Sequence, residues 1–420
     1  MSMYKRRMKW IGIALLSLGT CGPVAWGSTL IVGAKNTPCP NATYNTIGAA
    51  ITAAQSGDVI EICPALYPEQ IVITKPITLL GLHVQGIGRV LIQPTALTQP
   101  ALPAPVGTLD FMAVISVVNT SNVTIYDVAI DASKNTVTGC TVALAGIHFY
   151  NASGVVDSDA ISGAQLSNPL SCTALFPGNG FGVQVDETAS STASFSVTVR
   201  NTSIHDFGRN AILVVGSGET ANIDGNSIAG VGPSTGANQF GVFLADGATG
   251  QVTGNSISQG NCGTISIPDC YNLRSEGVVL RSVGNGTVVA GNMISNVQAG
   301  VFVNGATGAV VTGNTVSNVD ALNGIHIQAS ISGLFTGNRI SHVGPFTTDT
   351  TSDEAGCGIN DIAGSGSSEN TILSNWVNDA YCGVGYVNSD QVQSNTFLNT
   401  LYETLNGDDY PSTFPPPVEP

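Results

Sequence analysis

His148 and Tyr150 stand two residues apart in Gly146-Ile-His-Phe-Tyr150, and Gln184 and Asp186 stand two apart in Gly182-Val-Gln-Val-Asp186. An imidazole beside a carboxylate is an acid–base pair, an amide bonds hydroxyl groups, and a phenol ring offers an aromatic face. Together they are the parts of a site that stacks on a sugar ring and moves a proton, with His148 and Asp186 as the candidate catalytic groups and Tyr150 and Gln184 as binding groups. The same four also fit a plain solvated strand face. A second set of polar types, His326, Gln328 and Asn360, lies near the acidic run Thr347 to Gly356 with Asp349, Asp353 and Glu354. That run offers oxygen ligands for calcium but no recognised ligand spacing, so no cofactor is expected from a motif. Arg281, with no carboxylate adjacent in its column, is a further candidate for a lyase base.

Both phrases alternate apolar and polar residues, the period of a strand with one buried face. The phrase recurs as Gly241-Val-Phe-Leu244, Gly277-Val-Val-Leu-Arg281, Gly300-Val-Phe-Val303 and Gly324-Ile-His-Ile-Gln328. A second phrase, apolar-x-x-Asn-x-apolar, repeats around Asn226, Asn255, Asn292, Asn314, Asn338, Asn375 and Asn395, at intervals of 29, 37, 22, 24, 37 and 20 residues. Asp159 fits the same slot and Asn201 matches it loosely. Such a unit supplies strand, bend, strand, loop and strand, with Asn and its preceding Gly tolerating the left-handed bend. Stacked units form an all-β, single-domain right-handed parallel β-helix, in which the Asn residues line up as an internal ladder because buried polar groups must be paired. Asn-X-Ser/Thr matches inside the ladder are therefore poor glycosylation candidates.

Written in register, two outward columns follow. One reads His148, Gln184, Leu213, Phe243, Val279, Phe302, His326, Asn360; the other reads Tyr150, Asp186, Val215, Ala245, Arg281, Asn304, Gln328. The middle of this face, Leu213, Val215, Phe243, Val279 and Phe302, forms an apolar stripe beyond what the core requires. Three readings follow: the loop from 258 to 276 folds over it, another subunit packs on it through Phe243 and Phe302, or it walls a groove for the flat faces of sugar rings, the least favoured because only two of the five are aromatic.

Residues 1–27 carry Lys5, Arg6, Arg7 and Lys9, then an apolar run and Ala25-Trp26-Gly27, the pattern of a secretory signal. The segment ending at Cys21 also resembles a lipoprotein signal, with Thr20 atypical before the cysteine. Export implies a secreted, periplasmic or cell-surface protein. Removing the signal takes away four bases and no acid, moving the net charge from −15 to −19. So acidic a chain disfavours nucleic acid and anionic lipid, and repels polyuronates unless a cation bridges them. No stable membrane insertion is expected. The eight cysteines after Cys21 are even in number and point to disulfides: Cys39 with Cys63, Cys140 with Cys172, Cys262 with Cys270, and Cys357 with Cys382 on successive turns. Residues 28–82 read as a cap and first strands, with a short amphipathic helix over 43–57. Residues 83–405 read as coils, and 406–420 as a Pro-rich tail.

The run Tyr44 to Gly81, with cap helix, Ser-Gly-Asp, strand, Tyr-x-Glu, strand and Leu-x-Gly, resembles the opening of pectin-lyase-like β-helix proteins. With the later repeats, the resemblance covers most of the chain after the signal. It implies the fold; activity in that superfamily ranges over lyases, hydrolases, esterases, epimerases and non-catalytic proteins. The polygalacturonase-like signatures are missing: Asp408-Asp409 in the tail is the only Asp-Asp pair, and Arg339-Ile340-Ser341 stands where Arg-Ile-Lys would. Tyr67-Pro68-Glu69 is similar to pectin methylesterases, whose later segments have no counterpart. No acid cluster of the pectate lyase kind stands out. Copper-associated periplasmic β-helix proteins are similar in repeat pattern, but five His and five Met are scattered without a copper motif. The expected function is binding, with cleavage by a lyase or hydrolase, of a cell-wall or extracellular polysaccharide. The alternative is a non-catalytic surface, adhesion or structural scaffold, and whether the chain is an enzyme stays open.

Overall fold

The computed structural model describes residues 27–34, 39–83, 88–98, 110–137, 142–166, 180–188, 191–232, 239–260, 275–320, 322–344, 356–362 and 366–406. Strands succeed one another in parallel, one coil above the next. One sheet of thirteen strands runs from Thr29–Val32 to Gln391–Gln393, and the other faces of the coil join in a sheet of twenty-two. Alternation explains the core. Val199, Ile223, Val252, Val289, Val311, Phe335 and Ile372 pair in register down one face, each almost wholly buried. Each such side chain withdrawn from water contributes about 1.5–3 kcal/mol.

A helix, Ile47–Ala53, closes the N-terminal end and is shorter than the 43–57 expected. Thr46 is its N-cap, and the Glu69 carboxylate accepts from the backbone N–H of Ile47 and Gly48 at 2.9 Å each. These anchors fix where the helix begins, four residues later than the sequence alone placed it. Ile47, Ala50 and Ile51 are buried against the first strands. Tyr67 donates its hydroxyl to the Cys63 carbonyl at 2.7 Å, so the Tyr-x-Glu phrase is a device for holding the cap.

The ladder has a simple grammar. The Asn255 side-chain oxygen accepts from both the backbone N–H and the amide of Asn226 at 2.9 Å, while the Asn226 amide also donates to the Val199 carbonyl. Asn255, Asn292, Asn314, Asn338, Asn375 and Asn395 continue it coil by coil. Two expectations need correcting. The left-handed residue at the bend is the one before each Asn, Gly225, Gly254, Gly291, Gly313, Gly337, Ser374 or Ser394, and not the Asn itself. At the earlier end the slot is held by Thr202, whose N–H donates to Asn226, and by Asp159, which accepts from Val128. Asn201 is the left-handed residue of that bend, and its side chain turns to Asp157.

Cys39–Cys63 and Cys357–Cys382 are disulfides, with Cα atoms 6.4 and 4.5 Å apart. Cys357 and Cys382 are also register partners, so this bond staples one coil to the next. The pairings Cys140 with Cys172 and Cys262 with Cys270 lie outside the described residues. So do the export signal apart from Gly27, Cys21, and the tail beyond Asn406.

The glycine that opens the second phrase makes a crease. A Cβ at Gly241 would lie 2.5 Å from both the Gly277 carbonyl oxygen and the Ile257 side chain. Register partners fall on either side of the crease, Ala145 with Phe181 and Ile147 with Val183. Before it Ala145 and Phe181 join an apolar cluster outside the coil; after it Ile147 and Val183 point into the core. The outer sheet is thereby folded along a line, and a third outward column, Ala145, Phe181, Asn210, Phe240, Glu276 and Ala299, stands beside the other two.

Candidate functional site

Both outward columns follow the expected register. His148 pairs with Gln184 and Tyr150 with Asp186, and the columns continue to Asn360 and Gln328 respectively. Alternation within Val142–Tyr150 and Gly180–Asp186 leaves Ile147, Phe149, Val183 and Val185 to the core and turns the four polar side chains to the outer face. There the His148 Nε2 lies 2.9 Å from Asp186 Oδ1, and the Gln184 amide donates to Asp186 Oδ2 at 2.7 Å. Phe111 stacks on His148 with ring centroids 4.9 Å apart, and Tyr150 tilts against it at 5.9 Å.

This geometry sets the chemistry of the imidazole. In the neutral ring, an Nε2–H donated to the carboxylate leaves the lone pair on Nδ1, so Nδ1 is the atom that can take a proton. Among the described residues His148 Nδ1 has no hydrogen-bond partner. Nor do Tyr150 Oη, Gln184 Oε1, Ser116 Oγ and Asn210 Oδ1. Register joins them: Ser116 precedes His148 in its column, and Asn210 follows Phe181 one column over. Buried polar atoms are normally paired, because an unpaired one costs about 1–3 kcal/mol. Five such atoms lie on neighbouring register positions of one face. His148 is 1% and Asp186 2% exposed, so the patch is closed over in this state rather than open as a solvated strand face.

Burial, and then the nearby Asp186 charge, raise the Tyr150 phenol above its usual range and keep it a hydrogen-bond donor. Beyond the strand end, Glu187 accepts from the Gly218 N–H at 2.9 Å. Glu219 is 1% exposed, and among the described residues neither carboxyl oxygen has a partner. Burial, with Glu187 and Asp186 nearby, pushes its pKa to about 8, so it holds a proton at neutral pH. A second raised carboxyl, Asp361 at about 7, is buried at the far end, bonded to Asn370 and close to Asp390.

Sequence reasoning missed Ser116, Asn210, Glu187 and Glu219. Ser116 and Asn210 belong to columns that only the crease and the preceding coil reveal. For Glu219 the sole available signal was a carboxylate at a core-phase position of an otherwise Ala-Ile strand.

The second predicted set does not form one site with the first. It lies six coils away, roughly 30 Å along the axis. His326 and Asn360 are buried, and the His326 Nδ1 meets the Asn323 amide at 3.2 Å while its ring packs edge-on to Phe302. Gln328 accepts from the Asn304 amide at 3.3 Å. Asp349, Asp353 and Glu354 lie outside the described residues, among which no group of three or more metal-ligating side chains gathers. Of the apolar stripe, Val279 and Phe302 are buried within the single chain and Leu213, Val215 and Phe243 are partly so. Residues 261–274 of the loop expected to cover it lie outside the described residues, and association through Phe243 and Phe302 is untouched by a single chain.

These features define the class: the chain has a right-handed parallel β-helix fold. Among solved structures it is similar to the GH136 lacto-N-biosidase of Eubacterium ramulus, with a TM-score of 0.58 at 11% identity over 88% of this chain and 67% of that one. The native form of that protein gives 0.55 at 11% identity, over 88% and 68%. An alginate lyase from Paenibacillus sp. str. FPU-7 gives 0.44 at 15% identity, over 74% and 95%. A family model described as periplasmic copper-binding protein (NosD) matches residues 265–355. No curated protein matches the chain. Among the described residues no helix is long and apolar enough to cross a membrane.

Proposed function

We propose that this protein acts outside the cytoplasm and binds a polysaccharide along its outer face, cleaving it at the His148–Asp186 pair. The observation that carries the reading is the patch of buried hydrogen-bonding atoms without partners, His148 Nδ1, Tyr150 Oη, Gln184 Oε1, Ser116 Oγ and Asn210 Oδ1, beside Phe111 and Tyr150. Sugar hydroxyls are paired donors and acceptors that satisfy such atoms, and a ring face matches the aromatic side chains. Asp186 orients His148 through Nε2; His148 Nδ1 takes a proton from water, a hydroxyl or a ring carbon. Tyr150 and Gln184 hold the sugar.

The fold similarity to a lacto-N-biosidase fits this reading at the level of a glycan ligand. The two disulfides and the partial match to a periplasmic family fit export. A second reading, a lectin-like scaffold without turnover, draws on the burial of the same pair, which leaves neither side chain open to solvent.

A glycan array followed by reducing-sugar and 235-nm unsaturated-product assays tests both. Binding with product release that is lost in His148→Gln supports the enzyme. Binding without product on every bound glycan leaves the scaffold, and no binding at all removes the proposal.

A further inference from the structure

Most of the coil interior repeats itself column by column, and at one corner it stops doing so. Register carries Val303 to Ile327 and Ile327 to Asp361. Past the end of that strand, the pairs Thr307 with Ile331 and Ile331 with Ser368 place Ala306, Ser330 and Ser367 at successive levels of one position. The pairs that join Val310, Leu334, Thr371 and Gln391 do the same for Ala309, Gly333, Asn370 and Asp390. Val303, Ala306 and Ala309 are apolar and at most 1% exposed, as a core requires. One or two coils on, the same three positions hold Asp361, Ser330 and Asn370, each 0% exposed, with Ser367 and Asp390 half-buried at the rim.

One residue ties these polar groups together. The Asn370 side-chain amide donates to Asp361 Oδ2 at 2.8 Å and to the Ser330 carbonyl at 3.0 Å, while the Asn370 backbone N–H donates to Asp390 Oδ1 at 3.1 Å. The Ser367 hydroxyl accepts from the Ser330 N–H at 3.1 Å. Two carboxyl groups and two hydroxyls thus share one corner of the coil. Among the described residues neither carboxyl forms an ion pair with Lys, Arg or His. Nor, among the described residues, do Asp361 Oδ1 and Ser330 Oγ, both deep inside the corner, have a hydrogen-bond partner. Buried lone pairs with net negative charge and no cationic side chain are costly as they stand, and they are what a hard cation takes up.

We propose that this corner binds one calcium-sized cation, with Asp361 Oδ1, Ser330 Oγ and the Asp390 carboxylate as protein ligands and water completing the shell at the half-buried rim. The corner falls short of three carboxylate, His or Cys side chains. Hydroxyl and water oxygens make up the number, and the absence of nitrogen and sulfur donors disfavours a transition metal. A proton shared between the two carboxyls would remove one charge but leave the Ser330 hydroxyl unanswered. Bound there, the cation ties successive coils at their inner corner, as Cys357–Cys382 ties two of them at the outer sheet. The site is independent of the polysaccharide reading and stands or falls without it.

Calorimetric titration of calcium chloride into the chelator-stripped full chain is the test. One saturable site is expected with a Kd of about 10⁻⁴ M, the range of extracellular calcium modules. Asp361→Asn keeps an acceptor for the Asn370 amide and should weaken binding at least about tenfold, whereas Asp379→Asn, which alters an exposed carboxylate on the next coil, should leave it unchanged. Ser330→Ala, which restores the residue type found one coil earlier at Ala306, should weaken binding severalfold without loss of folding. No saturable site on the wild type, or a loss in Asp361→Asn no greater than in Asp379→Asn, overturns the proposal and leaves a carboxyl pair that holds a proton. If Asp361→Asn does not fold, unchanged affinity in Ser330→Ala overturns it instead. Magnesium bound as tightly as calcium overturns the calcium-sized assignment.

Discussion

Two rows of buried polar side chains run along this solenoid, and they are solved in opposite ways. Inside the coil, every ladder Asn from Asn226 to Asn375 has its side-chain oxygen accepting from the preceding ladder residue and its amide donating to the next Asn and to a backbone carbonyl. On the outer face, His148, Tyr150, Gln184, Ser116 and Asn210 are equally hidden from water, yet among the described residues each keeps an atom without a partner. A paired row stabilises the stack; an unpaired one costs stability and persists where something else is meant to meet it. Polarity and burial alone would not separate the two rows, and hydrogen-bond completeness does.

The contrast can be broken most severely at the ladder. Asn314→Ala removes a side chain that donates to Val289 and Asn338 and accepts twice from Asn292. About 5 kcal/mol of unfolding free energy should disappear in a urea titration, because partners on both sides are left buried and unpaired. A loss under 1 kcal/mol would mean that water replaces the ladder.

Glu219 probes the unpaired side through pH. Its folded pKa of about 8 is raised above the ordinary 4.5, so the folded state holds a proton that the unfolded chain gives up. Its contribution is fully present below about 4.5 and is lost as pH rises towards 8, at up to about 1.4 kcal/mol per unit. Asp361, raised to about 7, adds the same sign over a lower window. Melting temperature should therefore fall between pH 5 and 8, and Glu219→Gln should flatten that fall; an unchanged slope would show that the carboxyl is solvated.

A smaller effect is expected at the pair itself. Asp186→Asn keeps the shape but removes the charge that orients His148, and turnover on the glycan identified by array should drop about 10²–10³-fold. Equal rates would place the chemistry elsewhere. The smallest change is Tyr150→Phe, which deletes an unpartnered hydroxyl. Stability should move by less than about 0.5 kcal/mol while glycan affinity falls about tenfold, the reverse of the ladder variant. A large loss of stability would mean that the hydroxyl has a partner in the folded chain.

Much of this was legible in the sequence because the solenoid repeats its own grammar. Period-two alternation and the Gly-Val phrase put His148 beside Gln184 and Tyr150 beside Asp186 across insertions that differ widely in length. The staple between Cys357 and Cys382 followed from the same register. What escaped was whatever repetition does not encode. The crease flips side-chain parity at Gly146, so Phe181, Asn210 and Phe240 could not be assigned to the outer face by counting. Thr202 carries out the ladder's hydrogen bonding without being Asn. The closing-over of His148 and Asp186 is a property of the folded chain as a whole, invisible to any local pattern.

The ladder also works as a ruler. All its amides are aligned, each carbonyl turned towards the preceding coil and each NH₂ towards the following one. A partial coil inserted anywhere would break that alignment, whereas a whole coil would extend it at both cut ends. Length in this molecule is therefore a whole-number quantity even though its loops vary from neighbour to neighbour. Duplicating the coil between Asn292 and Asn314 should lengthen the outer face by one strand spacing, about 4.8 Å, and move the two ends of the face apart without retuning either.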